Sequence, residues 1–300
     1  MHPILFNMHT PFGEVPFPVY GLMITLAILA ASLVGHFRSV RIGLDPDRMA
    51  TVYLVCVISG IAGARFLHFA MADDHGKFWH NPLIYFDPGQ GGLAVYGGLI
   101  AGFFSVWAYT SWAKMPFWKV ADVMGPAVIL GVAIGRIGCF FAGCCHGRSC
   151  DLPMDATALF NNDDGAIWLT SQFPYMLTET RHGVGVNGVP VYPTQIWETL
   201  ATFAIFLISS VSFRHRRFDG QAVATVMMLY AIWRPINEHM RGDDIRGTDW
   251  FGLTTSQFIS IPVFVGGLLV ILFRYRKGVA PETPYKPFAP HEDLGTAPRI

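Results

Sequence analysis

The chain has 300 residues, of which 52% are hydrophobic and only 14% charged, with 21 basic and 21 acidic side chains and no formal net charge. Soluble domains carry about 25% charged residues. The deficit, with a mean hydropathy of +0.39, therefore excludes an ordinary soluble domain, while the zero net charge says nothing about partners.

Crossing about 30 Å of hydrocarbon takes roughly 20 apolar residues. In chain order, the stretches 19–37, 49–71, 93–112, 120–141, 194–213, 220–239 and 258–273 qualify as predicted spans. The first and last carry no Asp, Glu, Lys or Arg. The second, fourth, fifth and sixth do, and should turn those residues to the interior of a bundle. The opening MHPILFNMHTPFG lacks the basic region of a cleaved leader, so no processing is expected. Gly98 and Gly102, and Gly131 and Gly135, have the small-xxx-small spacing that lets helices approach closely. Residues 146–193 make one long connection containing NNDDG and HGVGVNGVP, and a connection of that length is usually functional. The tail from Val279 is Pro-rich and polar and reads as disordered.

The basic residues set an orientation. Arg38, Arg41, Arg48, Lys114, Lys119, Arg214, Arg216, Arg217, Arg274, Arg276 and Lys277 fall on one side of the alternating connections. Lys77, Arg148, Arg181, Arg241 and Arg246 fall on the other. This places the N-terminus outside and the C-terminus in the cytoplasm. The expected organisation is all-α: a polytopic membrane helical bundle of about seven transmembrane helices with a periplasmic loop cap. One membrane domain covers 1–278, with the loop region at 146–193, followed by a cytoplasmic tail at 279–300.

Three arginines, Arg65, Arg136 and Arg234, interrupt otherwise apolar stretches. A guanidinium at the centre of a membrane helix costs roughly 2.5–3.5 kcal/mol on insertion scales. At 1.5 Å rise per residue, Arg65 and Arg136 each lie about 24 Å, and Arg234 about 21 Å, from the cytoplasmic start of their spans. Tyr20, Tyr96 and Glu198 fall at the same outer level, whereas Asp122 lies near the inner rim and reads as interfacial. Arg234, Glu238 and Arg241, spaced i, i+4 and i+7, form one helical stripe. Four arginines against Glu198 and Glu238 leave a cationic surplus, which invites an anion. At that depth the abundant anion is a phospholipid headgroup, and the planar guanidinium fork suits its phosphate.

Around Arg136 the sequence reads GRIGCFFAGCCHGR. Upstream is GGLAVYGGLIAG at 91–102; downstream are YPTQIWE at 192–198, WRPINEHMRGDD at 233–244 and SQFISIP at 256–262. In this order, on seven spans, they resemble the prolipoprotein diacylglyceryl transferase family. That family carries G-G-(x)3-H-G-G-L at span three, G-R-x-G-N-F-x-N-G-E-x-x-G after span four, H-P-(S/T)-Q-x-x-E at span five and R-x-x-x-E-x-x-R at span six. The resemblance runs from about Tyr20 to the seventh span. It implies a bacterial inner-membrane enzyme that moves the diacylglyceryl group of phosphatidylglycerol onto the thiol of a lipobox cysteine and releases glycerol phosphate. The implied partners are phosphatidylglycerol, the prolipoprotein lipobox and membrane lipids, with no nucleic acid, no cofactor and no metal. By position, Arg136 and Arg234 would hold the lipid phosphate, with Glu238 and Arg241 orienting them. Tyr20, Arg65, Gly97, Gly98 and Glu198 would line the lipid site, and Gly147 would shape its mouth.

The departures from the family pattern cluster. The span-three histidine, a proposed base, is Tyr96, which titrates near 10 when unperturbed and can donate a hydrogen bond. Cys139 replaces the first motif asparagine and would take its substrate-facing place, Ala142 the second, Cys144 the glutamate, and Tyr192 the span-five histidine. His146 is a possible substitute base. Cys56 reads as a core residue. Cys139, Cys144, Cys145 and Cys150 admit a disulfide to Cys150, a soft-metal site of non-standard spacing, a reactive thiol, or inert packing. A relative that binds an anionic lipid or thiol compound without the transfer would also fit these losses. An ion transporter fits worse, because the charges gather in one leaflet.

Overall fold

A computed structural model describes residues 4–10, 13–71, 85, 94–147, 171–172, 190–241 and 254–276. Arg148, Cys150, Arg181 and the tail 279–300 lie outside the described residues, as does most of the long connection 146–193. An antiparallel hairpin, β1 (Ile4–Thr10) and β2 (Gly13–Pro18), leads into the first helix. The helices are α1 (Val19–Arg41), α2 (Pro46–Met71), α3 (Val95–Trp112), α4 (Phe117–Ala142), α5 (Thr194–Arg214), α6 (Gln221–His239) and α7 (Thr255–Arg276). Two short strands, β3 (Ser171–Gln172) and β4 (Pro190–Val191), pair within the outer connection.

Each predicted span is a helix, displaced at its ends by a few residues. Five of the seven, α1, α2, α4, α5 and α7, are long and apolar enough to cross a membrane on length and composition. In α6, Arg234, Asn237, Glu238 and His239 load the last two turns with polar groups. Large apolar side chains such as Leu54, Phe103, Leu200, Leu207 and Phe273 stand exposed on the helix surfaces. In water they would form a large apolar patch; in lipid they meet their own solvent. The protein is a polytopic helical membrane protein. The hairpin β1–β2 was not anticipated: the N-terminal residues carry an alternating strand pattern that a search for spans passes over.

The chain forms two compact units, one built on Met1–Leu33 with Ala121–Ala280, the other on Val34–Val120. The second unit contains the α2–α3 pair, which packs backbone to backbone. A Cβ at Gly63 would lie 2.6 Å from the Gly97 carbonyl oxygen, and one at Gly98 would lie 3.0 Å from the Gly60 oxygen. Ser59 and Ser105 share a 2.6 Å hydroxyl–hydroxyl hydrogen bond across the same seam.

In the first unit, the Gly131–Gly135 stripe of α4 faces Ala27 and Ile24 of α1, and α6 packs on both α5 and α7. Asp122, read from the sequence as interfacial in depth, is fully buried within the protein. Its carboxylate accepts from the backbone N–H groups of Gly220 at 2.7 Å and Val223 at 3.0 Å. It therefore caps α6 from another helix, satisfying donors that a helix start leaves open and opposing the positive end of its dipole. Gly220 takes φ 103°, where a side chain would be strained.

Candidate active site

The apolar helices α4, α5 and α6 bring their ionisable residues together on one carboxylate. Glu198, on the first turns of α5, is only 1% exposed. Its Oε1 accepts from Arg136 Nη2 of α4 at 3.2 Å and from the Tyr230 hydroxyl of α6 at 3.1 Å. Its Oε2 accepts from Arg234 Nη1 at 3.4 Å and from Asn237 Nδ2 at 2.7 Å. Arg234 Nη2 reaches further, to Glu238 at 2.5 Å and to the Ser256 hydroxyl of α7 at 3.1 Å. A carboxylate buried in this way is stable only when paired and hydrogen-bonded, and here four donors from two helices meet that need. The reciprocal effect is that both guanidinium groups are fixed in place, each keeping further N–H donors beyond those Glu198 takes.

The mouth is built where α4 ends. Gly143 takes φ 68° and Cys145 φ 64°, which stops the helix and folds the chain back. The return strand threads through tight quarters: Gly147 N–H donates to Tyr192 O at 2.8 Å and bridges to Arg241. A Cβ on Gly147 would sit 2.6 Å from that oxygen and 2.9 Å from Met240 O, so only glycine passes there. Thr194 Oγ1 and Gln195 Nε2 donate to the carbonyls of Cys145 and Cys144, each at 2.8 Å. His146 turns Nδ1 to the Gly147 carbonyl at 3.0 Å.

Cys139, Cys144 and Cys145 are free thiols with sulfurs all within 4.8 Å of one another. The disulfide considered from the sequence would need Cys150, which lies outside the described residues. Hydrogen bonds with Cys139 and Cys144 hold the Cys145 thiol far below the usual range, and Arg241 and Arg136 add to the effect. Hydrogen bonds with Cys139 and Cys145 push the Cys144 thiol up.

The structure thus places Arg136, Cys139, Gly147, Glu198, Arg234, Glu238 and Arg241 in one unit, together with Tyr20, whose ring lies against Gly138. Arg65, Tyr96, Gly97 and Gly98 belong to the other. There Arg65 Nε donates to Tyr85 O at 3.1 Å, and its guanidinium lies over the Phe69 ring at 4.8 Å. Sequence reasoning missed Tyr230, Asn237 and Ser256. The first two extend the Arg234–Glu238–Arg241 stripe by one turn and by its i+3 neighbour. Following every polar residue of that face, neutral ones included, would have found them.

Fold and site together define a class: a polytopic membrane protein whose helices clamp two guanidinium groups on a buried carboxylate. The family model of prolipoprotein diacylglyceryl transferase matches residues 3–273. The chain is 32% identical over 278 residues to the phosphatidylglycerol–prolipoprotein diacylglyceryl transferase of Clostridium tetani, covering 92% of this chain and all of that protein. It is 30% identical over 259 residues to the second such transferase of Clostridium perfringens, covering 86% of this chain and 91% of that one. It is also 30% identical over 276 residues to that of Corynebacterium diphtheriae, covering 89% and 93%. The chain belongs to the prolipoprotein diacylglyceryl transferase family, a family of enzymes.

Proposed function

We propose that this chain transfers the diacylglyceryl group of phosphatidylglycerol to the cysteine thiol of a prolipoprotein lipobox, at the outer leaflet of a bacterial inner membrane. Its N-terminus would face the periplasm and its C-terminus the cytoplasm, as the distribution of Lys and Arg supports. The observation that carries this reading is the shared hold of Glu198 on Arg136 and Arg234. The chemistry is a displacement at carbon with a phosphate leaving group. Such a step gains most from cations fixed in advance where negative charge develops. Arg136 and Arg234 direct their remaining N–H donors at the phosphate oxygens, and Glu238 and Arg241 orient them. Tyr20 and Gly147 of the same unit contribute lipid contacts, and the family resemblance implies the same role for Arg65, Tyr96, Gly97 and Gly98. A crevice of about 420 Å³ between α6 and α7 is lined by Ala231, Ile232, Pro235, Ile261, Phe264 and Val265. Gln257 and Ser260 complete its lining, which is apolar enough to take an acyl chain.

The test is purified protein with labelled phosphatidylglycerol and a lipobox peptide. Label on the peptide thiol is the expected result, and Arg136→Ala and Arg234→Ala each abolish it. A second reading, lipid binding without transfer, is favoured by Tyr96 and by the cysteines at family asparagine and glutamate positions. Retention of phosphatidylglycerol with an unlabelled peptide would select it.

A further inference from the structure

The transfer needs a thiolate, and Tyr96, which stands where the family carries a histidine, is a poor base at neutral pH. The cysteine cluster offers another route to that thiolate. Three sulfurs lie within 4.8 Å of one another. In a tetrahedral zinc site with Zn–S near 2.3 Å the sulfurs are about 3.8 Å apart, so side-chain rotation of under about an ångström per sulfur closes the set. The backbone beneath them is held from a second helix by Thr194 and Gln195, and Cys145 keeps a φ of 64° that presents its thiol to the other two. His146 turns Nδ1 to the Gly147 carbonyl, and its ring nitrogens are not among the clustered ligand atoms. Among the described residues the protein supplies three ligands, the number that catalytic zinc sites take from the protein, with the fourth position left to substrate. The position is also apt. Cys139 stands one turn beyond Arg136 on α4, and Thr194 and Gln195 stand within a turn of Glu198 on α5. The helices that hold the phosphate clamp therefore also hold the thiols. Three thiolates around a divalent ion leave one negative charge, and Arg136 and Arg241 lie within electrostatic reach of Cys145 to meet it.

We infer that Cys139, Cys144 and Cys145 bind a zinc ion whose open position takes the acceptor cysteine as a thiolate. This rests on the proposed transfer and replaces the expectation of no metal. A coordinating thiol is deprotonated outright, its proton leaving to water as the sulfur displaces a bound water. The bound sulfur then attacks the glyceryl carbon that carries the phosphate ester. A C–S bond forms, the C–O bond breaks with its electron pair passing to the phosphate oxygen, and glycerol phosphate departs from Arg136 and Arg234. The thioether product, a poorer ligand than a thiolate, leaves the metal.

The full-length protein, purified in detergent and loaded with Zn²⁺ or with Co²⁺ as a spectroscopic stand-in, provides the test. Expected are one metal per chain, intense cobalt–thiolate absorption lost in Cys139→Ser, Cys144→Ser and Cys145→Ser, and a change in the cobalt bands on adding a lipobox peptide but not its Cys→Ser version. Chelation should lower transfer at least 10-fold, and Zn²⁺ should restore it. Three results overturn the inference: no bound metal, equal binding by the triple serine variant, or a disulfide among the three cysteines in active protein. Full transfer after chelation, or copper retained in preference to zinc, overturns it equally, and active metal-free protein leaves the transferase reading standing. A metal site that answers the peptide in a protein that transfers no lipid would retain the site and overturn the transferase reading instead.

Discussion

The two compact units hold their helices together by opposite means. Between α2 and α3 the seam is made of almost nothing: Gly60, Gly63, Gly97 and Gly98 remove side chains so that backbones touch, and one serine pair adds a hydrogen bond. Among α4, α5 and α6 the seam is ionic, with Glu198 at its centre and Arg136, Tyr230, Arg234 and Asn237 around it. Lipid gives helices no hydrophobic reason to associate, so either close van der Waals approach or buried polar contacts must supply one. The first device is tolerant of chemistry and intolerant of volume; the second is the reverse. The second fixes two guanidinium groups on one buried carboxylate, which is why the proposed phosphate clamp sits there.

The largest effect should come from removing the centre of the ionic seam. Glu198→Ala leaves two guanidinium groups buried without their shared partner, at a cost of about 3–5 kcal/mol. Thermal unfolding in detergent should show a large loss, and transfer should be undetectable even in the folded fraction. Asn237→Leu removes the shortest bond to Glu198 but no charge. About 1.5–3 kcal/mol is expected, the range for hydrogen bonds to charged groups, with transfer reduced beyond the loss of folded protein because Arg234 is less well held. Gly63→Ala inserts a methyl 2.6 Å from the Gly97 oxygen, and overpacking of this kind costs about 1–3 kcal/mol. Here transfer per folded molecule should be unchanged. If Gly63→Ala lowered specific activity as much as Asn237→Leu, the division between a packing seam and a chemical seam would fail.

These contrasts also explain what could be read in the sequence. The helices were legible because apolar runs of span length are bounded by proline, glycine or charge, as at Pro46, Gly143 and Gly220. Arg136, Arg234, Glu198 and Glu238 were legible because a charge in such a run needs a reason. Asn237 and Tyr230 were not, since neutral polar residues are unremarkable in a span, although each donates to Glu198. The capping role of Asp122 was not legible because the N–H groups it caps lie about a hundred residues later in the chain, beyond any local capping pattern. The thiol cluster was visible as composition but not as geometry. Its closure depends on two left-handed residues, Gly143 and Cys145, and the second is not a type that announces such a turn.

The smallest prediction is the finest probe of the packing seam. Ser59 and Ser105 face each other at 2.6 Å, and each hydroxyl also reaches a carbonyl of its own helix, Cys56 O at 3.3 Å and Gly102 O at 2.9 Å. Cutting the interhelical bond therefore strands no donor, since the surviving hydroxyl retains its backbone partner. In membranes such pairs average about 0.6 kcal/mol in double-mutant cycles. Ser59→Ala, Ser105→Ala and the double variant should give a coupling energy of about that size, with transfer unaffected. A coupling several-fold larger would mean that the glycine contacts align the helices less firmly than their closeness implies, and that the serine pair sets the register of α2 on α3. A coupling near zero would leave backbone approach alone as the force that holds this pair.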